Sequence, residues 1–167
     1  MLTYSLAMTK KNKKNLLCLA LLILLFGCKS SKKIAESEHR VTKIIQTARS
    51  YVGTPYKWGG TSHSGLDCSG LLVISFRSAG IEIPRTSKDQ SKMGKEVSMH
   101  GLKPGDLVFF SVKKLRMRKI THVGLVTHVH DKHNIQFIHA STKLGVVENN
   151  IYTDYYRRIF VKARRVF

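Results

Sequence analysis

The sequence predicts an α+β fold in which N-terminal helices pack on an antiparallel β-sheet. Three observations carry this. Up to about residue 80 the apolar positions recur at the 3.6-residue helical spacing. Beyond residue 121 the spacing switches to two, the period of a half-buried strand. Helical and extended segments are also segregated along the chain, not interleaved as a parallel sheet would require. With 167 residues and 43% apolar content, the chain suits one cored domain and is too apolar to be disordered.

The first 28 residues stand apart from that core. Lys10, Lys11, Lys13 and Lys14 form a basic region, followed by an unbroken apolar run from Leu16 to Phe26. Eleven apolar residues are too few to span a bilayer, but they fit the central region of a secretory signal. Met8 serves as a start as well as Met1, because residues 1–7 add nothing to this pattern. The ending Leu25-Phe26-Gly27-Cys28 resembles a bacterial lipobox, in which the cysteine is acylated and becomes the first mature residue. An ordinary signal peptide, with Cys28 incidental, is the alternative. Residues 29–40 then form a polar tether between membrane lipid and a domain spanning 41–167. Lys29, where some bacteria place a retaining aspartate, favours the outer membrane over the inner.

Within the domain, Val41, Ile44, Ile45, Ala48 and Val52 mark an amphipathic helix in the stretch 34–52, closed by Gly53. Thr54 to Gly60 is a loop; a bland reading makes Tyr56 and Trp58 its core anchors, and for Trp58 that reading is preferred. Leu71, Leu72, Ser75, Phe76 and Ala79 define a second, buried helix, and Gly80 stands where a C′ glycine belongs. Ser87 to Gln90 reads as a capping box for a short third helix, closed by Gly94. Lys103-Pro104-Gly105-Asp106 is a turn that launches the apolar strand Leu107 to Phe110. Lys113 to Lys119 is a basic connection. Strands follow over 121–129 and 135–140, joined by a polar turn, then at 146–148 and 159–161.

Cysteine usage and charge narrow the function. Of three cysteines, Cys18 leaves with the signal and Cys28 carries lipid, so Cys68 is the one thiol left in the exported domain. A disulfide scaffold is thereby excluded. The net charge is +19, and near +15 once the four signal lysines are removed. In an exported protein this points to anionic envelope polymers or lipid headgroups and not to nucleic acid; a merely solvated basic surface carries comparable weight.

Cys68 lies between two helix-start residue types, Asp67 and Ser69. A thiol in the first turn meets the positive end of the helix macrodipole, which favours thiolate, so a reactive thiolate at neutral pH is expected. A small buried hydrophobe is the bland alternative. A nucleophile also needs a base and a group that orients it. Of the eight histidines, His122 opens one predicted strand and His139 closes the next, so the hairpin between them brings both to one end of the sheet.

Six segments then occur in order: Thr54-Pro55-Tyr56-Lys57-Trp58-Gly59-Gly60, Leu66-Asp67-Cys68-Ser69-Gly70-Leu71, Ile83-Pro84-Arg85-Thr86-Ser87, Pro104 to Phe110, His122-Val123-Gly124-Leu125-Val126 and Phe137-Ile138-His139-Ala140-Ser141. Together, over about residues 41–161, they resemble the NlpC family of bacterial cell-wall cysteine peptidases. The resemblance implies a minimal papain-like fold and hydrolysis of amide bonds in peptidoglycan stem peptides or cross-links. It makes Cys68 the nucleophile, His122 the base and His139 the orienting third residue. It places the oxyanion between the Cys68 N–H and the Tyr56 hydroxyl. Asp67, Ser69 and Arg85 match positions lining the cleft, with Arg85 suited to a stem-peptide carboxylate. A helix cap for Asp67 and a surface ion pair for Arg85 stand as equal alternatives. The basic stretch 113–119 lies outside the family pattern, and no separate wall-binding module is expected, since the catalytic domain takes up nearly all of the mature chain. A monomer without a cofactor is expected.

Three rivals remain. His128, His130 and His133 have a spacing a zinc ion can use, although they cluster at a hairpin tip with few supporting ligands, so no metal is assigned. An amidase cutting between muramic acid and the stem peptide needs the same catalytic residue types. A non-catalytic peptidoglycan-binding lipoprotein needs only the fold.

Overall fold

A six-stranded, wholly antiparallel sheet organises the domain. From edge to edge its strands are β3 (Lys95–Val97), β8 (Phe160–Arg165), β4 (Leu107–Phe110), β5 (His122–Asp131), β6 (Asn134–Ser141) and β7 (Gly145–Asn150). The computed structural model describes residues 32–111 and 119–167. The signal stretch, the first tether residues and the basic stretch up to Arg118 lie outside the described residues. The chain divides into residues 1–38 and 39–167, and the second unit is the body considered below.

The helices form where the apolar period placed them. A helix, α1, ends at residue 49, and its Ile44, Ile45 and Ala48 are buried; Val52, beyond its end, is exposed. The second helix, α2 (Cys68–Ser78), buries Leu71, Leu72 and Phe76 against β5 and β6. Each such side chain contributes about 1.5–3 kcal/mol by leaving water. Gly80, at φ 74°, continues the chain in the left-handed conformation after the cap at Ala79. A small hairpin, β1 (Thr61–Ser62) with β2 (Gly65–Leu66), precedes α2.

The short helix α3 (Ser87–Gln90) is capped one residue earlier than expected. Thr86 Oγ1 accepts from the Asp89 N–H at 3.2 Å and donates to Asp89 Oδ2 at 2.7 Å. Gln90 is unavailable for a capping box at Ser87, because its amide turns inward and donates to the Pro84 and Ser69 carbonyls.

Successive β4 residues face opposite sides of the sheet, and each side has its own core. Leu107 and Phe109 join α1 and α2; Val108 and Phe110 join Phe137, Ile151 and Ala163 on the other face. That second face is covered in part by α4 (Asp154–Ile159), whose Tyr156 and Ile159 pack there. The sequence reading omitted α4, since six residues are too few to display a helical period. It also omitted β3, a charged three-residue edge strand.

Gly70 allows the closest approach in the domain that bears on the site. A Cβ there would run into the Gly60 carbonyl oxygen and lie 3.0 Å from Asp67 Oδ1. Gly70→Ala is therefore expected to force the 57–60 loop off the start of α2. The expected cost is about 1–3 kcal/mol, read as a lower urea midpoint. An unchanged midpoint would show that the loop yields without loss.

Candidate active site

Asp67 fixes the first turn of α2. Its carboxylate accepts the Gly70 N–H at 2.6 Å and the Gly59 N–H at 2.9 Å, so one side chain caps the helix and ties the 57–60 loop to it. Cys68 follows at the helix start, 8% exposed. The backbone amides of Val123, Ser69 and Cys68 itself favour the charged form of its sulfur.

His122 is the first residue of β5 and His139 lies near the end of β6. Their rings stand nearly perpendicular, at 87°, with His122 Nε2 2.9 Å from His139 Nδ1. This bond leaves His122 Nδ1 as the ring nitrogen not engaged with His139. Cys68 and His122 line the same cleft. No direct hydrogen bond joins them in the free protein, a common looseness before substrate closes a site. On its far side His139 Nε2 is 2.9 Å from Asn149 Oδ1 and 3.0 Å from the Tyr156 hydroxyl oxygen.

The cleft has a volume of about 820 Å³. Tyr56, Trp58, Asp67, Ser69, Arg85 and Tyr156 line it together with Cys68 and the two histidines.

Electrostatics correct one expectation. Burial pushes the Cys68 thiol up to about 11, against the pull of the three backbone amides and with some help from the Asp67 charge. Burial, and then His139, hold His122 down to about 3; burial also lowers His139. The resting pair is thus a thiol beside a neutral imidazole, not a thiolate. Desolvation of the sulfur outweighs the partial charge of a helix end. The difference in thiolate absorbance between the wild type and Cys68→Ala is expected to show no step below pH 9. A step at or below neutrality would mean that the helix end and His122 overcome the burial.

Residues 53–165 match the NlpC/P60 family, well over half of the chain. The chain belongs to the NlpC/P60 family. It is 35% identical over 158 residues to the probable endopeptidase NlpC of Escherichia coli K12, covering 89% of this chain and 98% of that protein. It is 36% identical over 126 residues to the murein DD-endopeptidase MepS/murein LD-carboxypeptidase of the same strain, covering 75% and 62% respectively. Among solved structures, an NlpC/P60 family protein from Bacillus cereus superposes with a TM-score of 0.67 at 32% identity. That match covers 75% of this chain and 40% of the Bacillus chain.

The structure places the other expected residues unevenly on this NlpC/P60 scaffold. Tyr56 is partly buried at the cleft wall, and its pKa is raised by burial, by Cys68 and by Asp67, so its hydroxyl keeps a proton to donate. Trp58 is no core anchor: it is 87% exposed on the cleft rim, because the loop from Lys57 to Gly60 turns tightly on itself and directs the indole outward. Arg85 donates to Asp67 Oδ2 at 2.7 Å, to Asp67 Oδ1 at 3.0 Å and to Ser69 Oγ at 2.9 Å. Its guanidinium fork already holds a carboxylate, so a substrate carboxylate would have to displace Asp67. The Arg85 and Gly70 hydrogen bonds hold Asp67 below its usual range even though burial opposes them. His128 and His130 meet with ring centroids 4.0 Å apart and planes tilted by 49°.

Asn149 and Tyr156 were missed. The β6–β7 register pairs Phe137 with Asn149 and His139 with Val147, which puts Asn149 diagonally beside His139 on one face. That placement needs a hairpin register, which residue types alone do not supply.

Proposed function

We propose that this chain is a peptidoglycan hydrolase, a thiol endopeptidase that cuts amide bonds in murein stem peptides or their cross-links. The observation that carries the reading is the 2.9 Å bond from His122 Nε2 to His139 Nδ1, which reserves His122 Nδ1 for a buried thiol in an open cleft. The names of relatives that match most of the domain, endopeptidase and murein DD-endopeptidase, support the reaction class.

The chemistry follows from the geometry. As Cys68 Sγ attacks the scissile carbonyl carbon, His122 Nδ1 takes the thiol proton. The carbonyl oxygen becomes an oxyanion, which accepts hydrogen bonds from the Cys68 N–H and the Tyr56 hydroxyl. Collapse breaks the C–N bond, and the proton on His122 passes to the departing amine. Water, deprotonated by His122, then attacks the thioester, releasing a carboxylate and returning the thiol. Asp67, Ser69 and Arg85 form one hydrogen-bonded wall beside the nucleophile and shape the substrate subsite there.

We further infer that Cys28 carries lipid and that the enzyme works on a bacterial membrane facing the periplasm, with the outer membrane favoured. The apolar run, the terminal Gly27-Cys28 and the polar residues after it support this. A monomer is sufficient, because every proposed site residue comes from one chain.

Purified peptidoglycan digested by the full chain in detergent should yield new peptide ends by mass spectrometry, and Cys68→Ala should yield none. Intact stem peptides with lactyl ends on the glycan would instead show an amidase. In cells fed a labelled fatty acid, the wild type should take up label and Cys28→Ala should not; label on both would remove the anchor.

A further inference from the structure

We propose that Asn149 and Tyr156 are positioning residues that lock the protons of both site histidines, so that His122 presents a bare Nδ1 to Cys68. This rests on the reading of Cys68 as nucleophile and His122 as base.

The argument runs outward from one oxygen. The Tyr156 hydroxyl donates to Asn149 Oδ1 at 2.9 Å, with the amide carbonyl turned toward the ring. His139 Nε2 lies 2.9 Å from the same oxygen. An amide oxygen only accepts, so His139 Nε2 must carry a hydrogen. The Tyr156 oxygen, 3.0 Å away with its own hydrogen committed to Asn149, accepts a share of that N–H. A neutral His139 protonated on Nε2 has a bare Nδ1, and that atom faces His122 Nε2 at 2.9 Å. His122 Nε2 must then be the donor. A neutral His122 with its hydrogen on Nε2 keeps its lone pair on Nδ1, the nitrogen left for the thiol.

The surroundings leave little competition. Phe137 stacks on the His139 ring at 4.9 Å and 16°, and Tyr156 meets it edge-on at 5.6 Å and 73°. His139 is 3% exposed, so water does not readily replace the Asn149 oxygen. The groups facing His139 are thus His122, Asn149, Tyr156 and an apolar ring. With the hydrogen on Nδ1 instead, His139 would turn a lone pair toward the Asn149 oxygen and an N–H toward His122. His122 would then hold its hydrogen on Nδ1 and have no acceptor for the Cys68 proton. The four residues come from β5, β6, β7 and α4, so they bind the strand end and the short helix into one proton-ordering unit.

The test reads tautomers and rates separately. In the full chain labelled with 15N-histidine, both His122 and His139 are expected to show Nε2–H and bare Nδ1 by two-bond correlation spectra. Asn149→Leu should leave His139 a mixture of tautomers and lower kcat on a soluble muropeptide by about ten- to a hundredfold, with KM little changed. Asn149→Asp, which keeps an acceptor oxygen, should retain the tautomer and most of the rate. Tyr156→Phe removes a single oxygen and should give a smaller loss in the same direction. It carries the test if Asn149→Leu does not fold. An Nδ1–H on His139 in the wild type would overturn the proposal, as would undiminished kcat with unchanged tautomers in both Asn149→Leu and Tyr156→Phe. Activity surviving in Cys68→Ala would sink the nucleophile instead, and the ring spectra would still decide the tautomers.

Discussion

His122→Ala is expected to lower kcat by about 10³–10⁴-fold at pH 7 while leaving the fold in place. Burial holds the Cys68 thiol at about 11, so without a base only about one molecule in 10⁴ carries thiolate at pH 7. The wild type avoids that penalty because the proton leaves for His122 Nδ1 during attack and not before it. The variant should therefore gain about tenfold in rate per pH unit from 7 toward 10, as hydroxide replaces the missing base. The wild type should stay flat over the same range. Initial rates on a soluble muropeptide across that range decide the matter. A variant that is slow but equally flat would show that His122 serves position alone and that the proton goes elsewhere.

How much of this was legible before the structure depends on the distance over which residues had to be related. Cys68 at a helix start follows from Asp67, a local cap, and from an apolar period that needs only its own eleven residues. His122 and His139 required one further step, the closing of a hairpin whose turn chemistry is local. Asn149 and Tyr156 required two more, a second register and the docking of a six-residue helix, and neither leaves a periodic trace. Trp58 shows a different failure. Its indole is apolar enough to be read as core, but the tight turn around Gly59, at φ 73°, directs it to solvent. The resting thiol was illegible for a related reason, since the helix end can be read from sequence whereas the burial that outweighs it belongs to the tertiary fold. Arg85 falls between these cases: an ion pair was a stated alternative, and its partner proved to be the helix cap itself.

Acid should unfold this domain through its active site. The folded pKa of His122 is lowered from 6.5 to about 3, so the fold disfavours the proton that the unfolded chain accepts below pH 6.5. Stability is therefore complete above 6.5 and is lost as the pH falls toward the folded value. Between pH 7 and pH 4 the loss from His122 comes to about 3 kcal/mol, with His139 acting in the same direction. The lowered carboxylates, Asp67 and Asp89, act only further down, below their unfolded value of 3.8, so the window from 6.5 to 4 belongs to the histidines. Against a total of about 5–15 kcal/mol for a domain, that is a large share. Urea unfolding at pH 7 and pH 4 should show the loss in the wild type and a much smaller one in His122→Asn. Equal losses would place the acid sensitivity outside the site. The burial that keeps His122 neutral at pH 7 is the same burial that penalises a second proton on its ring, so base strength in the cleft and tolerance of acid are lowered together in this fold.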